Sequence, residues 1–421
     1  MYKITNFFSA LPIILLLVFP ETTIKTSLAL NKTSCHSIYL CKVNLGLGVA
    51  DWIIVFMAAI LIFYTILNYG RVYINKDSIF YKLLIIYLIY LIIGIFYKIF
   101  VYHDLIAYLY DFKTFMYFAV TYYWFRVFCS FKITSNNIIF IFLIMAIGPL
   151  WDYFYLLFDS GIAQRPNLIP FMPVIMPLIE YNFIILLMIC FKQHRLILSF
   201  FLIFEILSIF NQASLNSIYG LFAFFVFIFL YQKRFGESLI FILLFLAILI
   251  FSIFLPLVIY EILPLITNLK SDGLDIRVMK TLAAWDNYFM NFPVIIGKGL
   301  GSTYFETFSS VYNNIYSHGI NHQEGNVKFI LHSPLAMFYK FGLVGGLIMI
   351  FILLKSSIKL FSIYKLRNNN LAKFMSMLYP LFIIGTLITP GILKGAILAG
   401  IFIYISDQII SEFNRRKFKV N

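Results

Sequence analysis

The chain has 421 residues, of which 62% are hydrophobic and only 12% charged, whereas roughly a quarter of the residues in a soluble domain are charged. That composition excludes an ordinary soluble protein. The formal charge of +14 does not mark a nucleic-acid binder, because Lys and Arg are sorted by segment rather than gathered on one basic stretch. Apolar runs recur along the chain, and about 20 residues at 1.5 Å rise span a hydrocarbon core of about 30 Å. In order they lie near 5–20, 45–67, 83–100, 113–128, 137–158, 171–191, 195–210, 217–231, 238–264, 335–354, 376–391 and 394–410. The expected fold is an all-α integral membrane protein with about twelve spans.

The first run follows Lys3 and is read as a retained helix rather than a cleaved signal peptide, since many further spans follow it. Cys35 and Cys41 fall in the first expected outer loop, where an oxidising compartment permits a disulfide; two free thiols are the other reading. Cys129 and Cys190 look like ordinary buried or boundary residues. With the N-terminus inside, 19 of the 32 Lys and Arg fall in cytoplasmic segments, from Lys3 and Arg71 through Lys355, Lys359, Lys365 and Arg367 to Lys419, against 7 in short outer loops. This asymmetry follows the positive-inside rule and puts both termini in the cytoplasm. Acids within spans are costly. Asp51 and Asp152 stand near expected outer ends, where water is in reach, while Glu180 and Glu205 are deeper; each is either a substrate or ion contact or an interhelical hydrogen-bond partner.

One long polar stretch interrupts the apolar pattern and divides the chain into residues 1–266, an outer loop at 267–334, and residues 335–421. Within it Ile276, Met279, Leu282, Ala283 and Phe289 recur at helical spacing beside Arg277, Lys280 and Asp286, the pattern of a short amphipathic helix. Asn291-Phe-Pro-Val and the Gly run end it, and the polar, Tyr- and Asn-rich segment to about Lys328 reads as irregular surface. Gly297-Lys-Gly-Leu-Gly301 lacks the preceding strand and following helix of a nucleotide loop. Its glycines suit a tight turn, a close backbone approach, or amides offered to an anion. Arg277 is the best phosphate-binding cation of the loop, because a guanidinium is always charged and presents a fixed fork of donors; the plain alternative is a solvated helix charge. His332, just before the span at 335–354, has an imidazole suited to proton transfer near neutrality. Gly342, Gly345 and Gly346 allow close packing or bending in the first turns of that span.

The order of these features resembles the bacterial family of O-antigen polymerases and O-antigen ligases. Arg277 is followed by Trp285, Pro293 and Gly297-Lys-Gly-Leu-Gly301, then by Leu331-His332-Ser333, Leu335 and the spaced Gly342 and Gly345. The resemblance implies a C-type membrane glycosyltransferase with one large periplasmic loop. Such an enzyme moves a glycan from undecaprenyl pyrophosphate to an acceptor sugar hydroxyl at the outer face of the bacterial inner membrane. It further implies that Arg277 grips the pyrophosphate and His332 activates the acceptor, with Lys280, Gly299, Gly301, Arg165 and His322 as further substrate contacts and no cofactor or metal. The implied partners are the lipid-linked glycan, membrane lipids and a chain-length regulator protein, with no nucleic acid. Two departures separate the subfamilies. Asn211-Gln-Ala-Ser-Leu-Asn-Ser217 lacks the second phosphate arginine that ligases, and many polymerases, usually carry, unless Arg165 supplies it, and Ser333 stands where ligases tend to place Asn. Both favour a polymerase over a ligase. A flippase or other transporter is the alternative of a different class, with Glu180 and Glu205 as its support.

Overall fold

The computed structural model describes residues 49–67, 76–97, 105–128, 295–302, 304–305, 326–327, 335–388 and 396–418, with short pieces at 11–13, 15–16, 190–191 and 199. The described elements are α1 (Val49–Leu67), α2 (Ile79–Tyr97), α3 (Leu105–Phe128), the strands β1 (Tyr304–Phe305) and β2 (Asn326–Val327), α4 (Leu335–Arg367), α5 (Asn370–Ile388) and α6 (Ala396–Phe418). Among the described residues, three stretches are long and apolar enough to cross a membrane: Ile79–Phe96, Met337–Arg367 and Ala396–Arg415. The described residues are thus all helical apart from one two-residue strand pair and short connecting pieces, with the build of a membrane protein.

Several helix ends differ from the sequence expectation, including the start of α5 at Asn370 and the end of α6 at Phe418, and two of the differences have physical reasons in the packing. The span expected from 113 begins at Leu105, because Asp111 and Lys113 are paired inside the bundle rather than ending the helix. The span expected to end at 354 runs to Arg367. Beyond Leu354 one face of α4 stays buried, at Leu360 and Ile363, while Lys355 and Lys359 occupy the exposed face. At 33 residues the helix is about 50 Å long, well beyond a bilayer core of about 30 Å.

Asparagines make the sharp turn into α5. Asn368 adopts φ 51°, a left-handed conformation that Asn tolerates better than most residues, and its amide donates to the Tyr364 carbonyl at 2.7 Å. Asn369 then caps α5, its Oδ1 accepting from the amides of Leu371 at 2.9 Å and Ala372 at 3.3 Å. The Ser357 hydroxyl donates to the Ser376 carbonyl across this hairpin, a close approach that small side chains permit.

Contacts along the other helices give their directions. Gly400 packs on the Phe118 backbone and Tyr404 on Tyr122 and Phe125, so α6 and α3 are parallel. Asp51 meets Tyr117 while Tyr64 meets Phe128, so α1 runs with them. Phe80 stacks on Tyr122 at 3.8 Å and Tyr87 meets both Phe115 and Phe341, which sets α2 antiparallel to α3. Consequently α1, α3, α4 and α6 point one way and α2 and α5 the other. One end of the bundle collects Lys82, Arg126, Lys355, Lys359, Lys365, Arg367, Lys373 and Arg415. The opposite end holds Asp51, Asp111, Lys113, Lys298 and Lys340.

At the basic end α6 completes α2. Ser78 caps the helix conventionally, accepting from the Tyr81 amide at 3.1 Å. Asp407 adds a second cap from another helix, accepting from the amides of Ile79 at 2.8 Å and Phe80 at 3.3 Å and from the Tyr122 hydroxyl at 2.9 Å. A carboxylate there satisfies donors that a helix start leaves open and complements its dipole. Replacing Asp407 by Ala should therefore destabilise the protein by about 1–3 kcal/mol, read as a lower thermal unfolding midpoint in detergent; Asp407→Asn should recover part of it. An unchanged midpoint in the Ala variant would remove Asp407 from this role.

Candidate functional site

Residues 295–302 run between α2, α3 and α4 at the end opposite Asp407, and the break in α4 is what admits them. Gly342 has φ 62° and ψ 178°, a region open essentially to Gly alone. A regular helix would join the Val344 amide to the Lys340 carbonyl and the Leu343 amide to the Tyr339 carbonyl. Here the Val344 amide donates to the Ile295 carbonyl at 3.2 Å, while the Lys340 and Tyr339 carbonyls accept from the amides of Gly299 at 2.9 Å and Lys298 at 3.0 Å. Three of the backbone groups released by the kink are thus re-satisfied by the inserted segment.

Glycine is required on both sides of this seam. Gly297, Gly299 and Gly301 have φ of 79°, 78° and 80°, which disfavours any side chain. A Cβ at Gly299 would strike the Gly94 backbone of α2, and one at Gly301 the Tyr108 backbone of α3. Gly94 reciprocates, leaving room for Leu300, whose amide donates to the Tyr90 carbonyl at 3.0 Å. Gly345 makes room for the Tyr90 ring, which sits edge-on to Phe341 at 5.1 Å.

Buried charge closes the seam. Asp111, only 1% exposed, accepts from the Gly301 amide at 2.5 Å and from the Lys340 Nζ at 2.6 Å to each carboxylate oxygen. Lys298, 3% exposed, donates to the Tyr339 hydroxyl at 2.8 Å. A second pair lies on the same end, where Asp51 meets Lys113 at 2.6 Å and accepts from the Tyr117 hydroxyl at 2.6 Å. Asp51 is buried and paired rather than reaching water, which is the interhelical alternative read from the sequence.

Of the sequence-derived site residues, Gly299 and Gly301 are described and belong to this seam. Their amides, with those of Lys298 and Leu300, are spent on protein acceptors, so the Gly run acts through close approach, and its one anion contact is an internal carboxylate. Arg277, His332, Lys280, Arg165 and His322 lie outside the described residues, as do Glu180, Glu205, Asp152, Cys35 and Cys41. Beyond Ser302 the strands β1 and β2 pair antiparallel, Tyr304 opposite Val327 and Phe305 opposite Asn326, which brings the two arms of the later polar stretch together.

Sequence reasoning passed over Asp111, Lys340 and Tyr339. The signal was present in Lys340, an ionisable residue inside an apolar run, which ordinarily marks a partnered or functional position. Asp111 was hidden because its helix was started two residues after it. The fold and this seam define a helical membrane-type protein whose polar stretch between helices is bonded into the helix bundle. No family model and no curated protein matches the chain.

Two variants test the seam. Asp111→Ala strands a buried ammonium and an amide and should cost about 3–5 kcal/mol, whereas Asp111→Leu combined with Lys340→Met should regain most of that; thermal unfolding in detergent measures both. Gly301→Ala should lower the midpoint as well, by at least about 1–3 kcal/mol from backbone strain alone, and a midpoint equal to wild type would contradict the close approach to Tyr108.

Proposed function

We propose that the protein is a membrane glycosyltransferase of the O-antigen polymerase kind, joining undecaprenyl-pyrophosphate-linked oligosaccharide repeat units at the periplasmic face of the inner membrane. The observation that carries this reading is the order Arg277, Gly297-Lys-Gly-Leu-Gly301, His332 in one polar stretch, with the middle member bonded into the bundle. The anchored Gly segment separates an arginine arm from a histidine arm. His332 stands three residues before α4 begins.

Helix direction also supports the expected layout. The chain leaves α3 at the basic end, and residues 295–302 lie at the other end, as an odd number of bilayer crossings between them would place them. The segments expected between 137 and 264 satisfy that parity. The concentration of Lys and Arg at the Asp407 end favours that end as the cytoplasmic one, and the polar stretch then faces the periplasm.

In the proposed reaction the Arg277 guanidinium holds the donor pyrophosphate and offsets its charge, helped by Lys280 and, from the preceding half of the chain, Arg165. His332 takes the proton of the acceptor hydroxyl as its oxygen attacks the anomeric carbon of the donor sugar. The bond from that carbon to the pyrophosphate oxygen breaks, and undecaprenyl pyrophosphate leaves with the electron pair. Pyrophosphate is a good leaving group, so alignment and charge neutralisation supply most of what the reaction needs. His322 and the Tyr- and Asn-rich segment are the proposed sugar contacts.

Arg277→Ala and His332→Ala should each abolish the polymer ladder on lipopolysaccharide gels while a single repeat remains on the lipid A core. Wild-type ladders from both would overturn the site. Free lipid-linked polymer above bare core would assign a ligase, and polymerisation of lipid-linked repeats by purified protein in liposomes without an ion gradient would exclude transport as the primary role.

A further inference from the structure

The exposed stripe of α4 changes chemistry once along its length. Val344, Ile348 and Phe351 are outward apolar side chains, and one turn beyond Phe351 come the exposed Lys355 and Lys359. On α2, its antiparallel neighbour, the same change occurs at the same end: exposed Lys82 is followed by the exposed Ile85, Ile89 and Ile92. Both helices therefore pass from apolar to cationic at one level.

The three lysines form one electrostatic group. Lys82 and Lys355 are the basic neighbours of Lys359, with Asp77 and Asp407 the acidic ones. Asp407 is already engaged by two amides and the Tyr122 hydroxyl. Three ammonium groups gathered on an exposed surface beside apolar stripes call for an anion that carries apolar tails. Lys355 itself lies 5.8 Å from the Phe351 ring, and the same kind of contact recurs at this end, with Lys365 5.1 Å from the Phe361 ring, Lys373 5.3 Å from Tyr364 and Arg367 4.8 Å from Phe413. Such cation and ring pairs suit the water side of a membrane interface.

We propose that Lys82, Lys355 and Lys359 form a headgroup site for an anionic phospholipid whose acyl chains lie along the exposed isoleucines of α2 and along Ile348 and Phe351 of α4. The site is independent of the proposed activity, since it lies at the end of the bundle opposite the Asp111 seam. Each lysine near an anionic surface contributes attraction that zwitterionic lipid does not supply.

The test uses the purified full-length protein in detergent, offered phosphatidylglycerol and phosphatidylcholine, with retained lipid counted by native mass spectrometry. Wild type should retain phosphatidylglycerol about tenfold over phosphatidylcholine. The triple variant Lys82→Gln, Lys355→Gln, Lys359→Gln should bring the two lipids to near parity with an unchanged lipid-free unfolding midpoint, because all three side chains are exposed. Lys355→Arg with Lys359→Arg should keep the preference. Equal retention by wild type, or an undiminished preference in the triple variant, overturns the proposal. Inorganic phosphate that displaces phosphatidylglycerol at equal concentration overturns it in favour of a soluble phosphate ligand. Should the triple variant not fold, Lys359→Gln alone carries the test, with an expected loss of preference of about twofold or more.

Discussion

The carboxylate of Asp111 is the point on which this arrangement depends. A lone charge in a dry helix bundle is expensive, and it persists only when ion pairing and hydrogen bonds replace its hydration. Lys340 supplies the opposite charge to both oxygens, and the Gly301 amide supplies a further donor. Those partners come from α4 and from the inserted segment, so one side chain of α3 joins three parts of the chain that are distant in sequence.

The seam works because two irregularities cancel. A break in α4 at Gly342 would leave carbonyls and amides unpaired, and an extended segment within the bundle would do the same. Each satisfies the other through the bonds of residues 295–299 with residues 339–344. Neither irregularity is stable alone in an environment short of water. The positive φ of Gly297, Gly299 and Gly301 lets the segment lie close enough to α2, α3 and α4 to make the exchange. A polar stretch that would otherwise hang between helices thereby gains a fixed anchor.

The opposite end uses the same chemistry more economically. Asp407 satisfies the start of α2 and the Tyr122 hydroxyl together, while the lysines face outward. One end buries its charges in pairs and the other displays a basic surface. That division sets the direction of the bundle, and it is what gives the sidedness argument and the lipid site a common physical basis.

Sequence by itself determined the helical class, the positions of most described helices and the polar interruption, and it left the role of the glycines at 297, 299, 301 and 342 open among a turn, a close approach and an anion contact. These follow from local rules, since apolar run length and the absence of a Cβ are properties of a residue and its neighbours. It also placed Asp51 in a span without deciding between water and a partner. Tertiary structure alone decided that Asp51 pairs with Lys113, that Asp111 and Lys340 meet across 229 positions, and that Asp407 caps a helix 328 positions earlier. The helix ends at Leu105 and Arg367 belong to the same group. Whether a charge ends a helix or sits within it depends on the partner it finds, and that partner is fixed by packing between helices, which no local pattern records.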